Sequence, residues 1–464
     1  MTMTSSSRFS PSKSTSAPKK APPSVLVTLF AFVVSAAYIV SLLYAFVSAS
    51  IEVWGALLLV PVLIAITRPL LASAARQQDD PRLARLLMVA LVLKMLGAVI
   101  RYGVAFDVYG GQADAKAYDK AGRILAQGFR AGHLTFGQGA ISNTHFIEVV
   151  TGVVYTITGP SQLGGFFVFS WLGFLGLFFF YRAFALAMPH GDQRRYARLL
   201  FFMPSLLFWS SAIGKEAWMT FTLGLVAYGA ARAFQRRPLG FVYLAIGLEG
   251  TERVRPHMAL LILGGLLPAY LLRRAPKFSE AKKKQSLKII GIVALIGAIV
   301  VTLGGVEQRF KVNSTDSAAA TAVFNTTAEQ TTQGGSSFTP TRVHSPVQFP
   351  MAFVTVMFRP FPWEAGSTQG VVSALEATFL LLLALLSLKR LRQIPRELAQ
   401  TPYIVFALVY TLVFVFAFST IGNFGILVRQ RVQVYPMFFV LLALPRPVRA
   451  PKKGARPVRR SYAR

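Results

Sequence analysis

Apolar runs of about 17 to 25 residues follow one another along most of this chain, broken by short stretches of Pro, Gly and charge. An α-helix needs about 20 apolar residues to cross a hydrocarbon core of roughly 30 Å. Only 14% of the 464 residues are charged, against roughly 25% in soluble domains, so lipid is the expected solvent. Reading the runs and their breakers places spans at 24 to 47, 51 to 67, 84 to 106, 163 to 188, 197 to 212, 216 to 235, 239 to 249, 257 to 272, 287 to 305, 368 to 388, 402 to 422 and 427 to 445. The expected fold is therefore all-α, a polytopic transmembrane helical bundle of about twelve spans. The segments 239 to 249 and 257 to 272 are short, and read as re-entrant or broken helices, which membranes tolerate where the backbone is buried in protein.

The formal charge of +31 would suggest a nucleic-acid partner in a soluble protein. Its distribution argues otherwise. With both termini cytoplasmic, the inner segments hold 34 of the 49 basic residues and 5 of the 18 acidic ones. That is the positive-inside pattern, and anionic lipid headgroups account for the charge without any nucleic acid. Residues 1–23, rich in Ser, Pro and Lys, read as a disordered basic cytoplasmic tail, and 446–464 as a second basic tail. The apolar run after residue 23 is too long for a signal h-region and no A-x-A site closes it, so no cleaved signal is expected. The chain has no cysteine, which excludes disulfides, thiolate metal sites and cysteine nucleophiles.

This topology brings the polar residues at span ends to the outer face. Asp107, Asp114 and Asp119 lie in an outer loop, 107–143; Lys215 and Glu216 at the next outer turn; Glu249, Glu252, Arg253, Arg255 and His257 at another; Arg359, Trp363 and Glu364 before a later span; Asn423, Arg429 and Arg431 at the last. Charge at the membrane edge marks function by default, whereas for each residue alone the bland reading is a side chain snorkelling to the headgroups. Arginines hold phosphate bidentately, and an aspartate acts as general base toward a hydroxyl. The matching substrates are a lipid-linked phosphosugar and a hydroxyl acceptor. No nucleotide loop of the G-x-x-x-x-G-K-[ST] type is present.

The stretch ADAKAYDKAGRILAQGFRAG, residues 113 to 132, resembles the first-loop motif of GT-C integral membrane glycosyltransferases. The resemblance implies a GT-C-like fold in a bacterial plasma membrane, polyprenyl-phosphate-sugar donors, and Asp114 as catalytic base with Tyr118 one helical turn on. Ala115 stands where many members carry a second acid, leaving Asp107 and Asp119 as candidate partners of Asp114. The blocks FFMPSLLFWSSAIGKEAW, VRPHMALL, MFRPFPWE and VRQRVQVYP look similar to segments of GT-C and O-antigen-polymerase-type proteins.

By role, Arg255, His257, Arg429, Arg431 and Arg359 are the candidate donor-phosphate ligands, and Tyr118, Lys215, Glu216, Trp363 and Glu364 the candidate cavity lining. Lys215 and Glu216 read as an ion pair closing the cavity, and His257 reads as a hydrogen-bonded packing residue rather than a ligand. No metal ligand set has a fixed spacing; a divalent cation held by Asp107, Asp114 and Asp119 stays open as a cofactor. Residues 306–349, dominated by small polar residues, read as a mobile outer loop suited to a lid. Residues 141–158 read as an amphipathic helix in the outer interface. The partners are then a lipid-linked sugar donor, a cell-envelope glycan or lipid acceptor, and membrane lipids. One alternative is a polymerase or ligase of lipid-linked polysaccharide. The other is a transporter or flippase of a lipid-linked precursor, for which Lys94 and Arg101 are the mid-span charges, although no internal repeat supports it.

Overall fold

The structure, a computed structural model, describes residues 25–48, 50–111, 114–136, 140–273, 291–293, 295–300, 302–304, 336–343 and 345–446. Both tails and most of the 306–349 loop, with the lid expected there, fall outside the described residues. The chain divides into two units, residues 1–50 and 51–464. The first holds one long apolar helix, α1 (Val25–Ser48).

The second unit is helical, and among the described residues its β-structure is a single bridge between Ser337 and Asn423. In order come α2 (Ile51–Gln77), α3 (Pro81–Gly103), a π-helical turn (Val104–Val108), α4 (Asp114–Arg130), α5 (Asn143–Thr158), α6 (Gln162–Ala187), α7 (Gln193–Phe202), α8 (Pro204–Phe208), α9 (Lys215–Phe234), α10 (Leu239–Val254) and α11 (Pro256–Leu271). After the long loop come α12 (Phe349–Phe358), α13 (Thr368–Leu386), α14 (Pro402–Phe418), α15 (Phe424–Arg431) and α16 (Tyr435–Leu442). Among the described residues five helices are long and apolar enough to cross a membrane; counting the bent stretch Leu388–Leu398 with Pro402–Phe418 makes six.

Two of the twelve expected spans are broken. The 197 to 212 segment splits at Met203 into α7 and the short α8, because Pro204 has no N–H to continue the ladder and takes the first turn of a new helix. The 427 to 445 segment splits between α15 and α16, with Pro436 at the start of the second.

α6 lies at the centre, packed on α2, α3 and α9. A Cβ on Gly176 would run into the Thr220 carbonyl, and one on Gly224 into the Gly176 carbonyl, so the backbones of α6 and α9 touch. On the other side of α9, a Cβ on Gly247 of α10 would sit 2.7 Å from the Thr222 carbonyl. In lipid, where burying apolar side chains drives little association, close approach at small residues is what gives a helix pair its packing energy.

At the end carrying the basic loops, Asp192 caps α7 by accepting from the Arg195 N–H at 3.1 Å, and accepts from Arg390 at 2.8 Å. Burial pushes the Asp192 carboxyl up, but those two donors outweigh it and hold it below its ordinary value. At the other end, α4 and α5 are two helices packed on each other rather than an open loop. Asp119 accepts from the Tyr155 hydroxyl at 2.5 Å and from Arg123 at 3.0 Å, and Arg123 reaches Glu52 of α2 at 2.6 Å.

Candidate functional site

A cavity of about 210 Å³ opens where the ends of α3, α4, α6 and α15 meet the link between α8 and α9. Its walls arise from local backbone events. α3 does not end cleanly: the N–H of Tyr109 bonds the Val104 carbonyl five residues back, at 3.1 Å. A π-turn inserts one residue and re-aims the chain beyond it, a device frequent at functional sites. It turns Tyr109 into the cavity wall, where its hydroxyl also meets Gln369 of α13, and leaves Asp107 exposed.

Asp114 is the first residue of α4, where the helix dipole favours negative charge. Its side chain is 64% exposed and accepts from Arg429 at 3.2 Å. Tyr118, one turn on, is buried against the same cavity, and burial followed by the Asp114 and Glu216 carboxylates pushes its hydroxyl up to about 12. It is a proton-bearing donor at any physiological pH.

Beneath Asp114 the charges interlock. Glu216, 5% exposed at the start of α9, accepts from Arg429 Nε at 2.7 Å, Arg429 Nη2 at 2.9 Å and Arg255 Nη2 at 2.8 Å. Arg255 also donates to Gln430 at 2.7 Å. Asp114, Glu216, Arg255 and Arg429 thus come together from four separate connections. Lys215 faces another way and donates to Thr144 of α5 at 3.0 Å, so the partners of Glu216 are these arginines. Residues adjacent on a helix point about 100° apart.

Arg429 and Arg431 part for the same reason. Two residues apart on α15, they project to nearly opposite sides. Arg431, 1% exposed, donates to the carbonyls of Val356, Thr355 and Arg359, filling the C-terminal end of α12. Besides these carbonyls it bonds the Tyr435 side chain and lies within electrostatic reach of Glu376, so its donors are taken up inside the bundle. Arg359 is likewise occupied. It pairs with Glu364 at 2.9 Å through Nε and lies 4.7 Å and 5.2 Å from the stacked rings of Phe338 and Phe424. Burial raises the Glu364 carboxyl, and Arg359 with the Phe361 N–H more than reverses it, so it lies below its usual value. Trp363 is exposed and stacks on Phe361, and His257 sits half-buried in the first turn of α11. None of Arg431, Arg359, Trp363, Glu364 and His257 lines the cavity.

Sequence reasoning placed Arg101 within a span but assigned it no part in this site. Its guanidinium lies 4.8 Å from the Phe208 ring and 5.0 Å from the Trp209 ring, and it lines the cavity. Its Nε and Nη1 are buried and have no hydrogen-bond partner among the described residues. A guanidinium with open donors at a cavity wall is chemically suited to receive an anion.

The aromatic floor under Arg101 is held by two ionisable side chains buried inside the bundle. Glu376 of α13 accepts from the Ser205 N–H at 2.8 Å and the Ser205 hydroxyl at 2.9 Å, at the start of α8. Lys94 of α3, fully buried, donates to the Leu206 carbonyl at 2.7 Å and to Ser210 Oγ at 2.6 Å, at the end of α8. These two side chains satisfy backbone groups that a broken helix leaves bare in lipid. Among the described residues no three His, Asp or Glu side chains gather to hold a metal ion. Asp107, Asp114 and Asp119 have separate surroundings and do not form the cation site considered from the sequence.

No family model, curated protein or solved structure matches the chain.

Proposed function

We propose that the chain is a membrane glycosyltransferase, moving a sugar from a polyprenyl-phosphate-linked donor to a cell-envelope glycan or lipid acceptor on the outer face of a bacterial plasma membrane. The observation that carries this reading is the meeting, at one cavity, of an exposed carboxylate, Asp114, with a guanidinium, Arg101, whose donors are unfilled. The cavity is smaller than the roughly 300–1,000 Å³ of sites that enclose a whole small molecule, which suits a headgroup whose lipid chain stays outside.

In this reading the acceptor hydroxyl gives its proton to Asp114 as its oxygen bonds the anomeric carbon. The bond from that carbon to the phosphate oxygen breaks, and the charge that develops on the phosphate falls to Arg101 and Arg429. Tyr118 donates a hydrogen bond to the sugar or phosphate, and Glu216 holds Arg429 in register. The polymerase reading uses the same arginines but does not require the Asp114 base to the same degree.

The test is donor turnover by the full chain in nanodiscs, read as polyprenyl phosphate released, by mass spectrometry. The expected result is release that needs an acceptor hydroxyl and is lost in Asp114→Asn. If none of a panel of polyprenyl-phosphate sugars is bound or consumed, the reading is wrong; equal consumption of diphosphate-linked donors by wild type and Asp114→Asn would favour the polymerase.

A further inference from the structure

A second cavity, of about 170 Å³, lies at the opposite end of α3, between the turn joining α2 to α3 and the first turns of α7. Arg82 and Leu83 there are 18 to 19 residues from Arg101, which at 1.5 Å per residue puts the two cavities about 28 Å apart along one helix. That matches the roughly 30 Å of a hydrocarbon core. If one cavity sits at one headgroup layer, the other sits at the opposite layer, on the side where the basic loops gather.

Three arginines, Arg82, Arg194 and Arg198, line this cavity with a single acidic residue, Asp80. Asp80 is already engaged twice, capping α3 through the Arg82 N–H at 3.0 Å and meeting Arg194 at 3.3 Å. Arg198 turns its Nε to the Arg194 backbone carbonyl, one helical turn back, at 3.2 Å. The three arginines are solvent-exposed at the rim of one hollow, and with Asp80 as the one carboxylate the lining is left with two positive charges in excess. Beneath the polar mouth the wall becomes apolar, with Leu83, Leu86 and Ala197.

We infer that this cavity is a binding site for a phosphate group. Guanidinium forks match phosphate oxygens bidentately, and the depth and the apolar wall suit the phosphate of an anionic lipid whose chains run beside Leu83 and Leu86. A soluble phosphate ester would offer the same chemistry, so the experiment separates the two sources. The site is independent of the proposed transfer reaction and shares no residue with the first cavity.

The full chain, purified in detergent, is titrated with phosphatidylglycerol, phosphatidic acid, phosphatidylcholine or inorganic phosphate, and binding is read by native mass spectrometry together with the shift in unfolding temperature. Three variants accompany it: Arg82→Gln/Arg194→Gln/Arg198→Gln; the same positions changed to Lys; and a charge-matched control, Lys389→Gln/Arg392→Gln/Arg396→Gln, on exposed residues of the Leu388–Leu398 stretch. At about 1 kcal/mol per basic residue, the first variant should bind anionic lipid on the order of a hundredfold more weakly. The control should bind like wild type, and the Lys variant, which keeps charge but loses the fork, should fall between. Lipid binding places the phosphate in the membrane, whereas stabilisation by inorganic phosphate alone assigns the site to a soluble ester. If the control loses as much as the Gln variant, or if wild type takes neither anionic lipid nor phosphate in preference to phosphatidylcholine, the inference is overturned. The ligand-free unfolding temperature of each variant shows whether a loss is merely misfolding.

Discussion

Replacing Glu216 by Gln separates two carboxylates that share one arginine. Glu216 is 5% exposed and receives three guanidinium hydrogen bonds of 2.7 to 2.9 Å from Arg255 and Arg429. Without its charge, the buried guanidinium of Arg255 and the partly exposed one of Arg429 are left with Gln430 and Asp114 as their remaining acceptors. Breaking a buried pair from one side costs about 3–5 kcal/mol, most of it the cost of stranding the opposite charge. Asp114 makes one contact, at 3.2 Å, through a side chain 64% exposed, so Asp114→Asn should cost no more than about 1 kcal/mol. The assay is reversible unfolding in mixed micelles of both variants, with Glu216→Gln repeated in an Arg255→Gln background. There part of the loss should return, because the stranded charge is gone. A cost for Glu216→Gln below about 1 kcal/mol, or an equal cost for Asp114→Asn, would refute the division of labour in which Glu216 builds the site and Asp114 is left available to act.

Arg101→Gln should leave folding within about 1 kcal/mol of wild type, since Nε and Nη1 have no partner to lose, but weaken donor binding roughly 10- to 150-fold, the equivalent of one charge-assisted hydrogen bond; a donor titration checks it. Gly224→Leu forces a side chain into the Gly176 carbonyl and should destabilise the bundle by at least about 1–3 kcal/mol, read as a lower unfolding temperature. The Asp192 carboxyl lies below its unfolded value of about 3.9. Its contribution is therefore fully present above about pH 4 and lost as the pH falls through the folded value. Wild type should lose stability faster than Asp192→Asn on acidification below pH 4, and parallel curves would contradict the capping role.

Much of the helical order was legible because apolar runs and their breakers report directly on what lipid demands. The meeting of Asp114, Glu216, Arg255 and Arg429 was foreshadowed by their shared position at span ends, since the positive-inside pattern sorts those ends to one face. The features that escaped sequence reasoning depend on single-residue register. The π-turn after Gly103 carries no composition mark, so the way Arg101 and Tyr109 turn into the cavity was invisible. Arg429 and Arg431 looked equivalent in VRQR, yet their spacing of two already sends them to opposite sides, a signal that helical geometry offers and a motif search ignores. Pro204 could have announced the break before α8. The polar side chains that complete that break, Lys94 and Glu376, lie 110 residues before it and 172 after, a pairing that no local pattern encodes.

The most direct measurement is complementation of a deletion strain with wild type or Asp114→Asn at matched membrane levels, comparing lipid-linked and cell-surface glycans by mass spectrometry. The account expects Asp114→Asn to accumulate in the membrane as wild type does, to leave a surface sugar missing, and to build up its polyprenyl-phosphate donor. Full restoration of the glycan by Asp114→Asn would contradict it and reduce Asp114 to a rim charge.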